Sequence, residues 1–179
     1  MSKVLSALRE GVAHVHLTES LINCGEKRLC RQLAQRFFDA NIPAFASVGY
    51  PERCRAHNLA RPDECDLVIQ LPAKKWLWVE CKIIWKGKGA AAHYLAQEAV
   101  RDPRKLDRLG RPEASHVGVL MVGLDRTIRE TARLGLDVEG WYTKKARLGS
   151  WHRQAWTLKD AGGFRVSVWL WWRPVGTAA

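Results

Sequence analysis

A glutamate and a lysine stand two positions apart in the most strand-like segment of this 179-residue chain. The segment, Trp76 to Trp85, is rich in the aromatic and β-branched residues that favour strands. Side chains alternate across a strand, so Glu80 and Lys82 should share one face while Cys81 points to the other. Charged residues inside an apolar strand cost free energy unless they are paired or used in function.

A second acid begins the strand before it. Asp66 stands directly before the apolar run Leu67 to Leu71, and the segment Pro72 to Lys75 predicts the turn of a hairpin. Asp66 could therefore come alongside Glu80. Two converging carboxylates suit a hard cation such as Mg²⁺, which prefers oxygen ligands. A metal lowers the pKa of its bound water, and an adjacent lysine can orient that water or help to deprotonate it.

The simpler interpretation of Glu80 and Lys82 is an exposed ion pair on a solvated sheet face, worth less than about 1 kcal/mol. Two features favour a functional site instead. One is Asp66 at the start of the neighbouring strand. The other is Glu26, which lies along the inward edge of the apolar stripe of a helix predicted over residues 19–40.

The rest of the pattern supplies the elements that would position these residues. The predicted order is a helix over 19–40, strands over 44–48, 66–71 and 76–85, a helix over 90–109, a strand over 116–124, a short helix over 127–134 and a final strand over 164–172, with 135–163 unassigned. Pro103 should kink or divide the second helix. This is a mixed α/β layout in a single domain spanning 1–179, with a core at about 19–124 and a tryptophan-rich C-terminal extension at about 135–179.

In these residues the chain resembles the PD-(D/E)XK phosphodiesterase superfamily, which has a restriction-endonuclease-like fold with an α-β-β-β-α-β core. The resemblance covers about residues 19–124 and rests on Glu26, on Cys65 to Ile69 and on Val79 to Lys82. It implies a central mixed sheet flanked by helices, with extra C-terminal strands.

The chain departs from the family pattern at one position. Cys65 stands where the proline of the family's Pro-Asp pair would be. A literal Pro62-Asp63 occurs three residues earlier, in a predicted loop. We prefer Asp66 to Asp63 because the apolar strand follows Asp66 at once.

The resemblance also implies roles for the residues of the site. Asp66, Glu80 and the backbone carbonyl of Cys81 would ligate Mg²⁺, for which Mn²⁺ would substitute. Lys82 would position the attacking water, and Glu26 would join the site through water or a second metal. The function implied is a metal-dependent nuclease that hydrolyses phosphodiester bonds.

The charge balance predicts a polyanionic partner. The chain has 29 Lys and Arg against 18 Asp and Glu, a net charge of +11, and the simplest such partner is nucleic acid, DNA ahead of RNA. Basic clusters occur at 53–61, 74–75, 86–88, 101–111 and 144–153. Lys88 is a predicted phosphate contact from these clusters, whereas Gln97, Arg101 and Lys105 are placed near the substrate by the resemblance. An ordinary solvated surface is the alternative.

Six of the nine tryptophans fall into two groups. Trp141, Trp151 and Trp156 stand among basic residues, which suits either stacking on unpaired bases or packing in a core or dimer surface. Three others stand together in the last predicted strand, where sheet packing is expected: Trp169, Trp171 and Trp172.

Several classes of protein are not supported by the sequence. The N-terminal segment lacks the pattern of a signal peptide, and no window is apolar enough for a transmembrane helix, so we expect a cytoplasmic protein without a membrane partner. Five cysteines without C-x-x-C spacing predict reduced thiols rather than a zinc or redox motif. No P-loop or G-x-S-x-G motif occurs.

Two functions remain open at this point. One is the metal-dependent nuclease, for which a homodimer is a further expectation, since one site per chain would need a second copy to cut both strands of a duplex. The other is a non-catalytic nucleic-acid-binding or assembly module on the same fold. A subunit that binds only protein is a third, weaker alternative.

Overall fold

The computed structural model describes residues 1–19, 25–52, 63–84, 101–111, 113–124, 138–159 and 165–176. In chain order the elements are α1 (Ser2–Glu19), α2 (Glu26–Asp39), β1 (Ala44–Gly49), β2 (Glu64–Leu71), β3 (Lys75–Ile84), α3 (Asp102–Leu106), β4 (His116–Leu124), α4 (Val138–Lys145), β5 (His152–Lys159) and β6 (Arg165–Pro174).

The six strands form one mixed sheet in the order β1-β2-β3-β4-β6-β5. β3 and β4 pair in parallel, and the other four neighbouring pairs are antiparallel. A parallel pair needs a crossover connection, and α3 lies on the connection between β3 and β4. The predicted α/β class, with a mixed sheet flanked by helices, is confirmed, and β5 and β6 are C-terminal strands that extend the sheet.

α1 and α2 cover one face of the sheet and bury an aliphatic core. From β3 this core takes Val79, Cys81 and Ile83, which alternate with Glu80 and Lys82 as the strand period requires. The apolar members of β3 therefore face the helices, as the sequence predicted. α2 contributes its own apolar stripe, made of Leu29, Cys30, Leu33 and Phe37.

α1 was missing from the predicted elements, although its sequence carries the signal. Val4, Leu8, Val12 and Val15 are buried at the spacing of one helix face. Gly11 lets α1 approach α2 closely, because a Cβ at this position would lie 2.9 Å from the Leu33 Cδ2 atom.

α3, α4 and an aromatic cluster cover the other face. Trp169 and Trp171 are buried there in the sheet, which confirms the packing role predicted for them. Trp172 is half-buried and packs on the aliphatic side. The tryptophans among the basic residues pack as well: Trp141 and Trp151 against the aromatic cluster and Trp156 against the aliphatic core. The structure thus shows Trp141, Trp151 and Trp156 in packing contacts rather than free to stack on bases.

Several predicted boundaries were wrong or untested. The helix predicted over 19–40 is the end of α1 and the whole of α2, with 20–24 outside the described residues. β2 begins at Glu64, two residues before the predicted start. Of the helix predicted over 90–109, the described part contains α3 with Pro103 in its first turn. The helix predicted over 127–134 lies outside the described residues, and the unassigned 135–163 contains α4 and β5.

Within the described part of the chain, no helix combines the length and apolar character needed to cross a bilayer.

Candidate active site

The β2–β3 hairpin opens into a fork at the end away from its turn. The last Cα pair of the ladder is Leu67–Val79, although both strands continue beyond it. Successive N–H groups of a strand point to opposite edges, and those of Cys81 and Ile83 point toward the β2 side. Beyond the ladder these donors need acceptors other than the backbone of β2. We call this region, where β2 and β3 separate beyond Leu67–Val79, the fork.

Asp66 supplies the first of these acceptors. Its Oδ2 accepts a hydrogen bond from the backbone N–H of Cys81 at 2.8 Å. The N–H and C=O of one strand residue point to the same edge, so the Cys81 carbonyl also faces the fork. Burial raises the pKa of Asp66, and the Cys81 N–H and the charge of Lys82 oppose that rise.

Glu26, the first residue of α2, supplies the second acceptor. Its Oε1 accepts a hydrogen bond from the Ile83 N–H at 3.1 Å, and its Oε2 lies 3.3 Å from Lys82 Nζ. The Lys82 side chain is only 12% exposed and that of Glu26 27% exposed, so solvent screens this ion pair less than a pair on the surface. The inward glutamate and the strand lysine that the sequence singled out are therefore partners.

Glu80 is almost completely buried, with 1% of its surface exposed. Its Oε1 accepts a hydrogen bond from the Tyr50 hydroxyl at 2.5 Å. Tyr50 directly follows β1, and its ring centroid lies 5.5 Å from that of Trp78. Burial raises the pKa of Tyr50 far above its ordinary value, so the hydroxyl remains a donor at neutral pH and orients the glutamate.

Asp66 and Glu80 meet at the fork. Their carboxyl groups come close enough to interact directly. Two ionised carboxylates that approach in this way repel each other. A proton or a cation relieves the repulsion, and Lys82 places a positive charge beside Asp66. The structure thus brings together the four residues selected from the sequence: Glu26, Asp66, Glu80 and Lys82.

No family model, curated protein or solved structure matches this chain. The oxygen atoms at the fork indicate which metal ion it could hold. Two carboxylates and the Cys81 carbonyl are hard oxygen ligands of the kind that Mg²⁺ takes together with several waters. Among the described residues, no group of three or more His, Cys, Asp or Glu side chains is arranged to hold a metal ion.

The predicted substrate contacts are only partly described. Arg101 lies exposed at the start of α3. Lys105 forms an ion pair instead, with its Nζ 3.3 Å from Asp63 Oδ1. Asp63 therefore pairs with α3, whereas Asp66 reaches Glu80. Two further predicted contacts lie outside the described residues: Lys88 and Gln97.

Three cysteines are buried near the site as free thiols: Cys30, Cys65 and Cys81. Cys30 and Cys81 belong to the aliphatic core and Cys65 to the aromatic cluster, and Cys24 and Cys54 lie outside the described residues. Cys30 and Cys81 lie in the same core and so contribute to the packing of α2 on β3. Burial raises the pKa of Cys65 well above its ordinary value, so this thiol stays protonated.

Tyr50 is the site residue that sequence reasoning missed. It was assigned to a polar loop over 50–64, yet it is 1% exposed. The available signal was a single aromatic residue directly after a predicted strand. Tyrosine combines a large apolar body with one hydroxyl that needs a partner when buried. That partner, Glu80, is 30 residues away in the chain.

Removing the Tyr50 hydroxyl should destabilise the protein. Tyr50→Phe keeps the ring but takes one donor from buried Glu80, so we expect the free energy of unfolding at pH 7 to fall by about 1–3 kcal/mol. Urea denaturation measures the change. In a Glu80→Ala background the same substitution should cost clearly less, because the acceptor of this hydrogen bond is gone. Equal costs in both backgrounds would show that Tyr50 does not act through Glu80.

Proposed function

We propose that this protein is a Mg²⁺-dependent nuclease that hydrolyses phosphodiester bonds in nucleic acid, DNA ahead of RNA. The observation that carries the proposal is the convergence of the Asp66 and Glu80 carboxyl groups, with the charge of Lys82 beside Asp66, where the β2–β3 ladder ends. Two acids and an amine converge there in a strongly basic chain. Such a set can bind a divalent cation and a phosphate at the same place.

The likeness to the PD-(D/E)XK superfamily supports this function. The elements α2, β1, β2, β3, α3 and β4 follow one another in the helix and strand order of that family. Asp66 lies on the second strand of this series, and Glu80 and Lys82 lie on the third. Cys65 in place of the family's proline is a departure, and the proposal assigns the restriction-endonuclease-like core to about residues 19–124 with this difference.

Mg²⁺ suits the oxygen ligands at the fork. Asp66, Glu80 and the carbonyl of Cys81 would hold the ion, Glu26 would reach it through water, and Mn²⁺ would substitute. When bound, the metal lowers the pKa of a bound water and stabilises charge on a phosphoryl oxygen. The hydrogen bond from Cys81 N–H holds Asp66 in position for this task.

The chain's own residues orient the reacting groups. Glu26, fixed by the Ile83 N–H, holds Lys82 Nζ at 3.3 Å. Lys82 would in turn orient the attacking water toward the phosphorus atom. Tyr50 keeps Glu80 in a single orientation. Groups that are positioned before the reaction need not reorganise during it, which is the main source of electrostatic catalysis.

Nucleic acid is the proposed substrate because of the charge of the whole chain. A net charge of +11 attracts a polyanion over long range and supplies contacts to phosphates that are independent of sequence. Arg101, exposed at the start of α3, would be one such contact. Cleavage of both strands of a duplex would need a homodimer.

Incubation of the full chain with plasmid DNA, single-stranded DNA and RNA tests the proposal. We expect products with Mg²⁺ or Mn²⁺, and none in EDTA. Cleavage that continues in EDTA, or an absence of products from every polymer with either metal, would overturn the proposed activity. Loss of cleavage in the site variants described in the Discussion excludes a contaminating nuclease.

The alternative is a non-catalytic nucleic-acid-binding or assembly module. The observation in its favour is the burial of Glu80, which is 1% exposed and already accepts a hydrogen bond from Tyr50. Binding that is independent of metal, with no cleavage of any polymer, would favour this module over the enzyme.

A further inference from the structure

A basic cleft lies between α4 and β5, away from the fork. Its volume is about 850 Å³. Three cations line it, Lys144, Arg147 and Arg153, together with the carboxylate of Glu139. The hydroxyls of Thr143 and Ser150 complete the polar lining, and no aromatic side chain is among the described residues that form it. We call this the α4–β5 cleft.

Arg153 is held in position within the cleft. Its guanidinium forms an ion pair with Glu139, whose other oxygen accepts a hydrogen bond from Trp169 Nε1 at 2.7 Å. The Arg153 side chain nevertheless remains 54% exposed. One carboxylate thus orients the arginine, while three cations leave the cleft with an excess of positive charge. The guanidinium fork can pair with two oxygens of one phosphate.

Arg147 occupies a position that normally favours glycine. The Leu148 N–H donates to the Thr143 carbonyl at 2.8 Å and the Arg147 N–H to the Lys144 carbonyl at 3.3 Å, which is the Schellman arrangement that ends a helix. The residue at this end adopts a left-handed conformation, and Arg147 has φ +57°. An arginine is strained there and a glycine is not. A strained residue at an exposed position is a pointer to function.

The cleft and the fork lie on the same side of the sheet. One row of paired residues runs across four strands through Glu80, Val119, Trp171 and Arg153. Arg153 and Trp156 are three positions apart on β5, so their side chains lie on opposite faces of the sheet. Trp156 packs against the aliphatic core, which places Arg153 on the other face. Three strand spacings place the Cα atom of Arg153 roughly 14 Å from that of Glu80. On duplex DNA this span corresponds to about four phosphates of one strand.

We propose that the α4–β5 cleft binds the sugar–phosphate backbone of the nucleic acid, about four nucleotides from the bond cleaved at the fork. Only the position of that bond rests on the proposed function, and the binding itself does not. A lining of cations and hydroxyls, without aromatic rings, suits phosphate contacts rather than stacking or reading of bases. The cleft therefore adds affinity that does not depend on base sequence.

The test compares two double variants that each remove two positive charges. K144Q/R147G removes them from the cleft, and K3Q/R9Q removes them from exposed positions on α1, which covers the opposite face. Binding of a fluorescent DNA duplex to the full chain in EDTA is measured by anisotropy at several salt concentrations. A duplex of roughly 20 base pairs is long enough to span both sites.

With this duplex, K144Q/R147G should raise Kd about tenfold and reduce the salt slope by about 2, whereas K3Q/R9Q should change Kd by less than about threefold. R147G alone should weaken binding without lowering the thermal unfolding midpoint, because glycine relieves the strained φ; a purely structural arginine would have no effect on binding.

Other outcomes overturn the proposal. Equal losses in the two double variants would mean that only net charge matters. Polyglutamate that competes as well as DNA of equal charge would assign the cleft to an acidic protein. Failure of the cleft and failure of the enzyme can be told apart. Unchanged binding in K144Q/R147G together with metal-dependent cleavage by the wild type would reject the cleft and keep the enzyme. Weaker binding in K144Q/R147G without any cleavage by the wild type would keep the cleft and reject the enzyme.

Discussion

Replacing Asp66 with asparagine should abolish cleavage and at the same time stabilise the protein. The variant loses a carboxylate that would hold the metal, so we expect the rate to fall by a factor of about 10³ or more. Asparagine is nearly isosteric, can still accept the hydrogen bond from the Cys81 N–H and can donate one to Glu80. Folding should therefore survive, and the loss of activity can be assigned to chemistry.

The stabilisation has a definite dependence on pH. Burial raises the pKa of Asp66, so the folded chain binds this proton more tightly than the unfolded chain does. The contribution of Asp66 to the free energy of unfolding is then fully present below its unfolded pKa and is lost as the pH rises through its raised folded pKa. Asparagine does not titrate, and the advantage of the variant should grow from pH 4 to pH 8.

Thermal unfolding in EDTA at both pH values measures this effect. At pH 8 we expect Asp66→Asn to gain about 1 kcal/mol, which raises the unfolding midpoint of a chain of this size by roughly 2–4 °C. Asp39→Asn is the matched control, because Asp39 is exposed at the end of α2, and its effect should be small. A variant that is less stable than the wild type at pH 8, or an advantage that shrinks with rising pH, would contradict the assignment.

Replacing Lys82 with methionine should lower the cleavage rate by about 10²–10⁴-fold, the range for loss of a group that handles a proton. Methionine retains an apolar stem of similar length and removes only the charge. Binding of DNA in EDTA should persist. The matched control is Lys27→Met, because Lys27 is on α2 with its side chain 70% exposed and pairs with Glu64. Equal activities of the two variants would remove Lys82 from the mechanism.

A double-mutant cycle with Glu26 then separates two roles. Glu26→Gln keeps an acceptor for the Ile83 N–H but removes the charge that holds Lys82. If Glu26 acts only through Lys82, its substitution should have no further effect on cleavage in the Lys82→Met background. An additional loss there would mean that Glu26 also acts on the metal or its water, as the family resemblance implies.

The pairing of acid and amine on β3 could be predicted because it depends on local alternation. A period of two placed Glu80 and Lys82 opposite Val79, Cys81 and Ile83, and the structure shows those three against the helices. The inward position of Glu26 followed in the same way from helix periodicity. α1 carries an equally clear pattern, with Val4, Leu8 and Val12 buried at the spacing of one helix face, so this helix is also predictable from the sequence.

The partners of these residues are of a different kind. Tyr50 and Glu80 are 30 residues apart, and Glu26 and Ile83 are 57 apart. No local pattern specifies such pairs, because they depend on the order of the strands in the sheet and on where the β2–β3 ladder ends. The choice of Asp66 over Asp63 was likewise a preference until the tertiary contacts separated them, with Asp63 bonded to Lys105.

The sequence by itself determined the α/β class, the hairpin, the acid and amine on β3 and the excess of positive charge, since all of these are properties of composition or of short periods along the chain. Only the tertiary structure decided that Asp66 lies beside Glu80, that Tyr50 orients Glu80 and that Arg153 of the basic cleft lies in the same row of the sheet as Glu80. The physical reason is that these contacts form only when segments distant in the chain pack side by side. The free energy of that packing comes from the whole core, so no single segment specifies it.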